Sequence, residues 1–442
     1  MTVHLSEHFS YKNLFKAVLP SIFMMIFTSI YSIVDGLFVS NFVGKTAFAA
    51  INFVFPFIMI LGAIGFMFGA GGSALVAKTL GEGDREKANR IFSMIVYFNI
   101  IIGVILSVAG FFLIEPVAKA MGATPEMLPD CARYGKILVS FVFVFMLQNI
   151  FQSFFVVAEK PMLGFLIIVL AGVTNMILDA VFIIGLKMGI EGAAVATSIS
   201  YFVGGVVPLI YFARNNKSLL RFVKTKFEVK PIWKSVLNGS SELLTNVSAS
   251  IVGILFNMQL LKIAGENGVA AYGVIMYASF IFAAIFLGYS IGIAPIVGYN
   301  FGAKNHSELK NLLKKSLIII CITGLIMTFL TETLAMPLSK IFVGYDNELL
   351  IMTTHGMRLF SIGFLVCGIN IFASSFFTSL NNGLISAIIS FARTLLFQVV
   401  CVMVLPIWFG LDGIWVSVVV SELLAVIISI ICFVCCRKKY QY

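Results

Sequence analysis

Residues 14–42 read LFKAVLPSIFMMIFTSIYSIVDGLFVSNF, a run in which only Lys16 and Asp35 carry a formal charge. A helix needs about 20 predominantly apolar residues to cross a bilayer core about 30 Å thick. This run is long enough to be a mature membrane span. Asp35 is its anomaly. A carboxylate in mid-span costs roughly 2.5–3.5 kcal/mol on insertion scales, so it is expected to face a cavity or a partner. Near a helix end it can instead reach the headgroups. Thr28, Tyr31 and Asp35 fall at i, i+3 and i+7 and share one helical face. Pro20 lies fifteen residues before Asp35 and removes one helix hydrogen bond, which predicts a kink.

The same character extends along the chain. Of 442 residues, 60% are hydrophobic and 11% charged, and mean hydropathy is +1.04. Soluble domains carry roughly 25% charged residues. No segment reads as an appended globular domain, which argues against a soluble catalytic unit. The apolar runs lack the ten-residue alternation of a membrane β-barrel. Met1 to Lys16 is polar and has no cleavage site after a short apolar core, so no cleavable signal peptide is expected. The reading is therefore an all-α polytopic membrane protein. Twelve spans are predicted, at 14–40, 52–78, 91–114, 134–158, 162–186, 191–213, 235–262, 269–299, 312–333, 355–380, 383–406 and 412–436. Six of the seven cysteines lie in apolar runs, where Cys acts as a small hydrophobe. Cys432 and Cys435 form a CxxC with no His or second pair nearby, so no zinc or redox centre is expected.

Charge gives the sidedness. The set that starts with Lys12 and Lys16 holds 21 cations, and the opposite set holds eight. The positive-inside rule then puts both termini in the cytoplasm. The net charge of +10 is a topology signal and a contact for lipid headgroups, not a nucleic-acid surface.

The chain also repeats itself. Leu80-Gly81-Glu82-Gly83-Asp84 aligns with Phe301-Gly302-Ala303-Lys304-Asn305, 221 residues later. Asn149-Ile150-Phe151-Gln152-Ser153 aligns with Asn370-Ile371-Phe372-Ala373-Ser374 at the same offset, as does Gly189-Ile190-Glu191-Gly192 with Gly410-Leu411-Asp412-Gly413. Six spans per unit insert both copies in the same orientation. Two six-helix lobes, 1–213 and 235–442, are expected to relate by a pseudo-two-fold axis along the membrane normal. The basic stretch 214–234 links them. Repeated halves facing a central path are what alternating access needs.

Asp179 lies in the fifth span with Asn175 one turn before it, and Thr197 lies near the start of the sixth. With Asp35 they offer hard oxygen ligands suited to Na⁺ or a proton relay. Glu242 and Glu422 are secondary carboxylates, the first near a membrane surface and the second deep in the last span. Arg393 either pairs with an acid or snorkels. Gln148, Asn149 and Gln152 cluster on the fourth span and fit either substrate binding or helix–helix glue. Met and Phe side chains lining a cavity can repack around varied ligands. Gly69-Ala70-Gly71-Gly72-Ser73 lacks the Lys-Ser/Thr ending of a phosphate loop. With no ATP-binding domain, an ion gradient or the substrate's own gradient must drive transport.

Pro20 with Asp35-Gly36, Gly44, Ala49-Ala50, the stretch 80–84, Asn175 to Asp179, Glu191-Gly192-Ala193-Ala194 with Thr197, and Tyr299 to Ala303 occur in one order. In that order the chain resembles the multidrug and toxic compound extrusion (MATE) family over nearly its whole length, and its bacterial MepA-like branch in particular. The resemblance implies twelve helices in two V-shaped lobes. It implies export of amphipathic, often cationic compounds in exchange for H⁺ or Na⁺, with no other cofactor. In the branch with an acidic first-lobe site, positions matching Asp35, Asn175, Asp179 and Thr197 form the cation site. Positions matching Thr28, Gln148, Asn149, Gln152 and Tyr201 face the first-lobe cavity, and Tyr31 shares the face of Thr28 and Asp35. Gln148 and Gln152 stand where the family carries Asn. Another branch uses a carboxylate deep in span seven and one in span ten. Here Glu242 is early in span seven and 355–380 has no acid, which favours the first-lobe mechanism.

The resemblance thus implies a multi-pass, monomeric exporter in a bacterial cytoplasmic (inner) membrane, with small organic substrates and lipids as partners. The competing transporter reading is a lipid-linked sugar or metabolite carrier of the same superfamily. Its relatives usually carry more spans and a more cationic cavity. A major-facilitator protein would need its loop motif, and Gly81 to Arg90 departs from that motif at Asp84. An intramembrane enzyme or a channel would need a catalytic dyad or a filter loop, and neither is found.

Overall fold

The computed structural model describes residues 4–442, and Lys45 by its backbone only. Residues 1–3 of the expected first lobe lie outside it. Among the described residues there are helices and no strands.

The first three spans are unbroken helices, Tyr11–Phe42, Lys45–Gly81 and Arg85–Ala120. The first runs through Pro20 without a break. The fourth span is two helices, Leu128–Ser140 and Val142–Val157, bent by 54°. The fifth is Pro161–Asp179 continued by a π-helical turn, Ala180–Gly185, and the sixth is Gly189–Ala213. Spans seven and eight form one continuous assignment, Val229–Gly302, broken at Gly265 with φ 61°. Its 74 residues would extend about 110 Å as a single rod, several times the bilayer core, so it is two spans joined at a glycine. The ninth is His306–Val343, and the tenth is Asn347–Ser361 and Phe364–Ser379, bent by 50°. The eleventh starts as Gly383–Phe391 and passes through a π turn, Ala392–Phe397. It then enters Gln398–Tyr440, where Gly410 (φ 56°) separates the eleventh span from the twelfth. The spans extend beyond the ranges read from hydropathy. The helix of span seven begins at Val229, inside the stretch read as linker.

The 221-residue repeat is visible in the backbone. Gly44 and Gly265 both take positive φ at the turn joining the first two spans of their half, and Gly189 and Gly410 do so before the last span. Asp84 caps the third span by accepting from Lys87 N, and Asn305 caps the ninth by accepting from Glu308 N. Pro116 and Pro337 sit inside those two helices. The bends of spans four and ten fall at Phe141 and at Ile362–Gly363.

The halves meet along spans 1, 2, 7 and 8. A Cβ on Gly71 would strike the backbone of Ser235 and Gly239, one on Gly81 that of Tyr299, and one on Gly302 that of Lys78. Gly288 lies against Ser21 and Ile22, and Gly292 against Val18. Small residues let membrane helices approach to backbone contact, which replaces the missing hydrophobic drive between helices in lipid. All these contacts lie in the membrane half that carries the basic loops. In the other half, no glycine of one lobe touches the other lobe. The N-terminal segment straps the same basic side. Leu5 N donates to Glu159 Oε1 at 2.7 Å in the first lobe, and Phe9 N donates to Glu308 Oε1 at 3.0 Å in the second.

Candidate functional site

The first lobe wraps spans 1, 4, 5 and 6 around a buried polar cluster. Asp179 is fully buried at the last α-helical residue of span five, where the helix passes into its π turn. Such turns are frequent at functional sites. Asn175 is 1% exposed, and its Nδ2 donates to Thr197 Oγ1 across to span six at 3.4 Å. Asp35, from span one, lies beside Asp179 and Asn175, with no hydrogen bond formed to either. Thus the two carboxyl groups face each other, and the sequence-derived set Asp35, Asn175, Asp179 and Thr197 comes together.

Tyrosines enclose it. The buried Tyr31 hydroxyl approaches the Gln148 amide and lies within electrostatic reach of Asp35. Tyr201 stacks on Phe145 with ring centroids 4.6 Å apart and is within electrostatic reach of Tyr31 and Asp35. Tyr134 is within electrostatic reach of Asp35, Asp179 and Tyr201. The sequence reading missed Tyr134, because a Tyr at the mouth of a span looks like an interfacial aromatic. Only the bend of span four would have signalled that it turns inward.

The cluster has too many acceptors. Asp35 Oδ1, both oxygens of Asp179, Asn175 Oδ1 and Gln148 Oε1 are buried and find no donor. A buried polar group without a partner costs about 1–3 kcal/mol, and more when charged. Five such oxygens, three of them from the two carboxylates, fit a cation, whether Na⁺ or a shared proton. The set is all hard oxygen, with none of the Cys or His ligands that zinc sites usually carry.

The other substrate candidates divide. Gln148 packs at Gly204 of span six and joins the cluster. Thr28 spends its hydroxyl on Met24 O of its own helix at 2.8 Å. Asn149 and Gln152 are buried, but no contact ties them to the carboxylates. Glu422 and Glu242 belong to the other lobe. Arg393 is resolved as an ion-pair partner, its Nε 2.8 Å from Glu422 Oε1.

A single family description, MatE, matches residues 20–181 and again residues 243–404, together well over half the chain. The chain belongs to the MatE family. The first match contains Asp35, Asn175 and Asp179, and the second contains Arg393. The multidrug export protein MepA of Staphylococcus haemolyticus (strain JCSC1435) is 25% identical over 422 residues, 94% of this chain and 92% of that one. The protein of the same name from Staphylococcus saprophyticus is 26% identical over 372 residues, 82% of each. A solved outward-facing multidrug resistance MATE transporter of the MOP superfamily superposes with TM-score 0.91 at 22% identity, over 98% of this chain and 97% of that chain. A MATE in complex with MaL6 gives 0.91 at 21% identity over the same shares. This MATE chain is therefore a multi-pass membrane transporter, not an enzyme.

Proposed function

We propose that the protein is an antiporter that exports amphipathic, often cationic compounds by alternating access, using H⁺ or Na⁺ bound between Asp35 and Asp179. The observation that carries this is the set of five donorless oxygens, three of them from the two carboxylates. The excess of cations on one loop set supports a cytoplasmic location for both termini in a bacterial inner membrane. The lobes touch on that basic side, which supports an outward-facing arrangement. The names of the staphylococcal relatives support multidrug substrates.

In this mechanism the outward-facing site takes up its cation through Asp35, Asp179, Asn175 Oδ1 and the Thr197 hydroxyl. Binding neutralises the carboxylates and removes their attraction for a cationic drug, which leaves to the outside. The lobes then rock, the ion dissociates inward, and the re-exposed anions draw in the next drug. The cycle requires the ion to bind one arrangement more tightly than the other. Lobes of opposite tilt need no covalent chemistry from the protein, only the two carboxylates changing occupancy.

Competition at equilibrium tests this reading. Tetraphenylphosphonium bound to protein in nanodiscs is expected to be displaced by acid or by Na⁺, with one of the two effective. Asp35→Asn and Asp179→Asn are each expected to abolish that displacement. Retention of full displacement in both variants would refute the assignment.

A further inference from the structure

The stretch 214–234 between the lobes carries seven cations and one acid, and the export mechanism uses none of them. Its backbone is fixed to span three. Arg85 donates to the carbonyls of Ser218 and Leu219, at 2.8 and 3.1 Å. Further along the same helix, Arg221 N donates to Asn89 Oδ1 at 2.8 Å and Val223 N to Ser93 Oγ at 2.9 Å. Phe222 stacks on Phe92 with ring centroids 5.0 Å apart, and Phe227 reaches the Phe98 ring at 5.9 Å. From Arg85 to Phe98 a helix rises about 20 Å. The linker therefore descends span three from its cationic flank into the start of its apolar run, and does not loop free in water.

That course places charge and apolar surface side by side. Arg221, Lys224 and Lys226 are exposed on the segment held by span three, and Lys230 and Lys234 are exposed on the first turns of span seven. No described Asp or Glu forms an ion pair with any of the five. Glu228, the one acid of the stretch, is exposed and pairs with none of them. Among these cations stand Phe227, Val229 and Trp233, each at least 60% exposed. Aromatic side chains beside Lys and Arg are the composition of a membrane–water interface.

The two kinds of side chain narrow the occupant. A soluble polyanion would answer the cations but leave three large apolar groups in water. A neutral lipid would cover the apolar groups but leave the charges unmatched. A molecule with a phosphate at one end and acyl chains at the other answers both. The patch also straddles the seam between the lobes, since three of its cations hang on span three and two belong to span seven.

We propose that residues 221–234 form a binding site for an anionic phospholipid of the leaflet on the basic side, its phosphate held by Lys224, Lys226, Lys230 and Lys234 and its acyl chains against Phe227 and Trp233. Basic loops attract headgroups diffusely wherever they lie. This stretch differs because its backbone is fixed on span three, so its charges keep one place relative to the bilayer. The site needs only a chain embedded in a membrane and stands apart from the export reading.

The chain has three tryptophans, and Trp415 is sealed in the core, so Trp408→Phe leaves Trp233 as the reporter. The full-length protein in that background is placed in phosphatidylcholine vesicles with a minor fraction of brominated phosphatidylglycerol, or the same fraction of brominated phosphatidylcholine. Bromine quenches indole emission on contact. Phosphatidylglycerol is expected to be enriched at Trp233 at least about threefold over phosphatidylcholine, because each surface cation attracts an anionic headgroup by about 1 kcal/mol. Lys224→Gln, Lys226→Gln, Lys230→Gln and Lys234→Gln together should abolish that excess. Arginine at the same four positions should keep it, which separates lost charge from lost fold. Lys304, Lys310, Lys314 and Lys438 are exposed cations outside this stretch, and glutamine at those four should leave most of the excess in place. Equal quenching by the two lipids in the parent, or an equal loss in the second lysine set, would overturn the proposal. So would removal of the excess by soluble glycerol 1-phosphate at constant ionic strength, which would make the occupant a free phosphate ester.

Discussion

The two lobes descend from one repeated unit but carry opposite surpluses in their interiors. At the 221-residue offset, Asn149 corresponds to Asn370, Tyr201 to Glu422, Gly172 to Arg393, Asp35 to Phe256 and Asp179 to Val400. The first lobe gathers its carboxylates on spans one and five and leaves five acceptor oxygens without donors. The second moves its acid to span twelve and answers it with an arginine where the first lobe has a glycine. That glycine is filled by an aromatic neighbour: a Cβ on Gly172 would meet the rings of Phe27 and Tyr31. One scaffold thus holds an uncompensated site, which we propose binds a cation, and a compensated pair that is stable without one. The difference separates a site left short of donors from one closed by its own ion pair.

Substitutions at four places would break or sharpen that contrast, beginning with the largest expected effect. Glu422→Gln strands the partly buried Arg393 guanidinium and should cost up to about 3 kcal/mol, read as lower thermal stability of the protein in detergent. Replacing both partners, Arg393→Met with Glu422→Leu, should recover most of that loss. Asp179→Asn should move stability the other way, raising the unfolding temperature in the absence of coupling ion, because two donorless carboxylate oxygens become one amide. A fall comparable to that of Glu422→Gln would mean that Asp179 has a protein partner after all. At the lobe contact, Gly239→Ala places a methyl against the Met67 carbonyl and should pry open the basic side. A cysteine introduced at Ala74 is expected to react faster with a soluble maleimide in that background than in the parent. The smallest change belongs to Thr28→Val. Its hydroxyl serves its own helix, so drug binding should shift by less than about 0.5 kcal/mol. A large shift would return Thr28 to the substrate surface.

Much of this architecture was legible in the sequence because lipid leaves few options. Long apolar runs must be helices, and the matching Gly189–Gly192 and Gly410–Gly413 stretches, with the repeated Asn-Ile-Phe, pointed to six spans per half. The grouping of Asp35, Asn175, Asp179 and Thr197 was legible too, since polar residues one turn apart in a membrane span tend to face one another or a cavity. The extra turns at the helix ends were not, because hydropathy fades at the headgroups while the hydrogen-bonded helix continues into water. The break at Gly265 and the π turns leave the apolar pattern unchanged. Tyr134 was invisible for a related reason: its inward aim comes from a 54° bend with no Pro or Gly at Phe141 to announce it. The pairing of Arg393 with Glu422 joins residues 29 apart across two spans. Sequence alone left it balanced against snorkelling.

The central claim is that an ion held by Asp35 and Asp179 drives export. Proteoliposomes containing the purified protein should be given a proton gradient and, separately, a sodium gradient, and the flux of a fluorescent organic cation followed in each. The account predicts uphill transport under one of the two gradients, and its loss in Asp179→Asn with the Arg393–Glu422 pair intact. Ion-driven transport that survives in Asp179→Asn at the wild-type rate would contradict it.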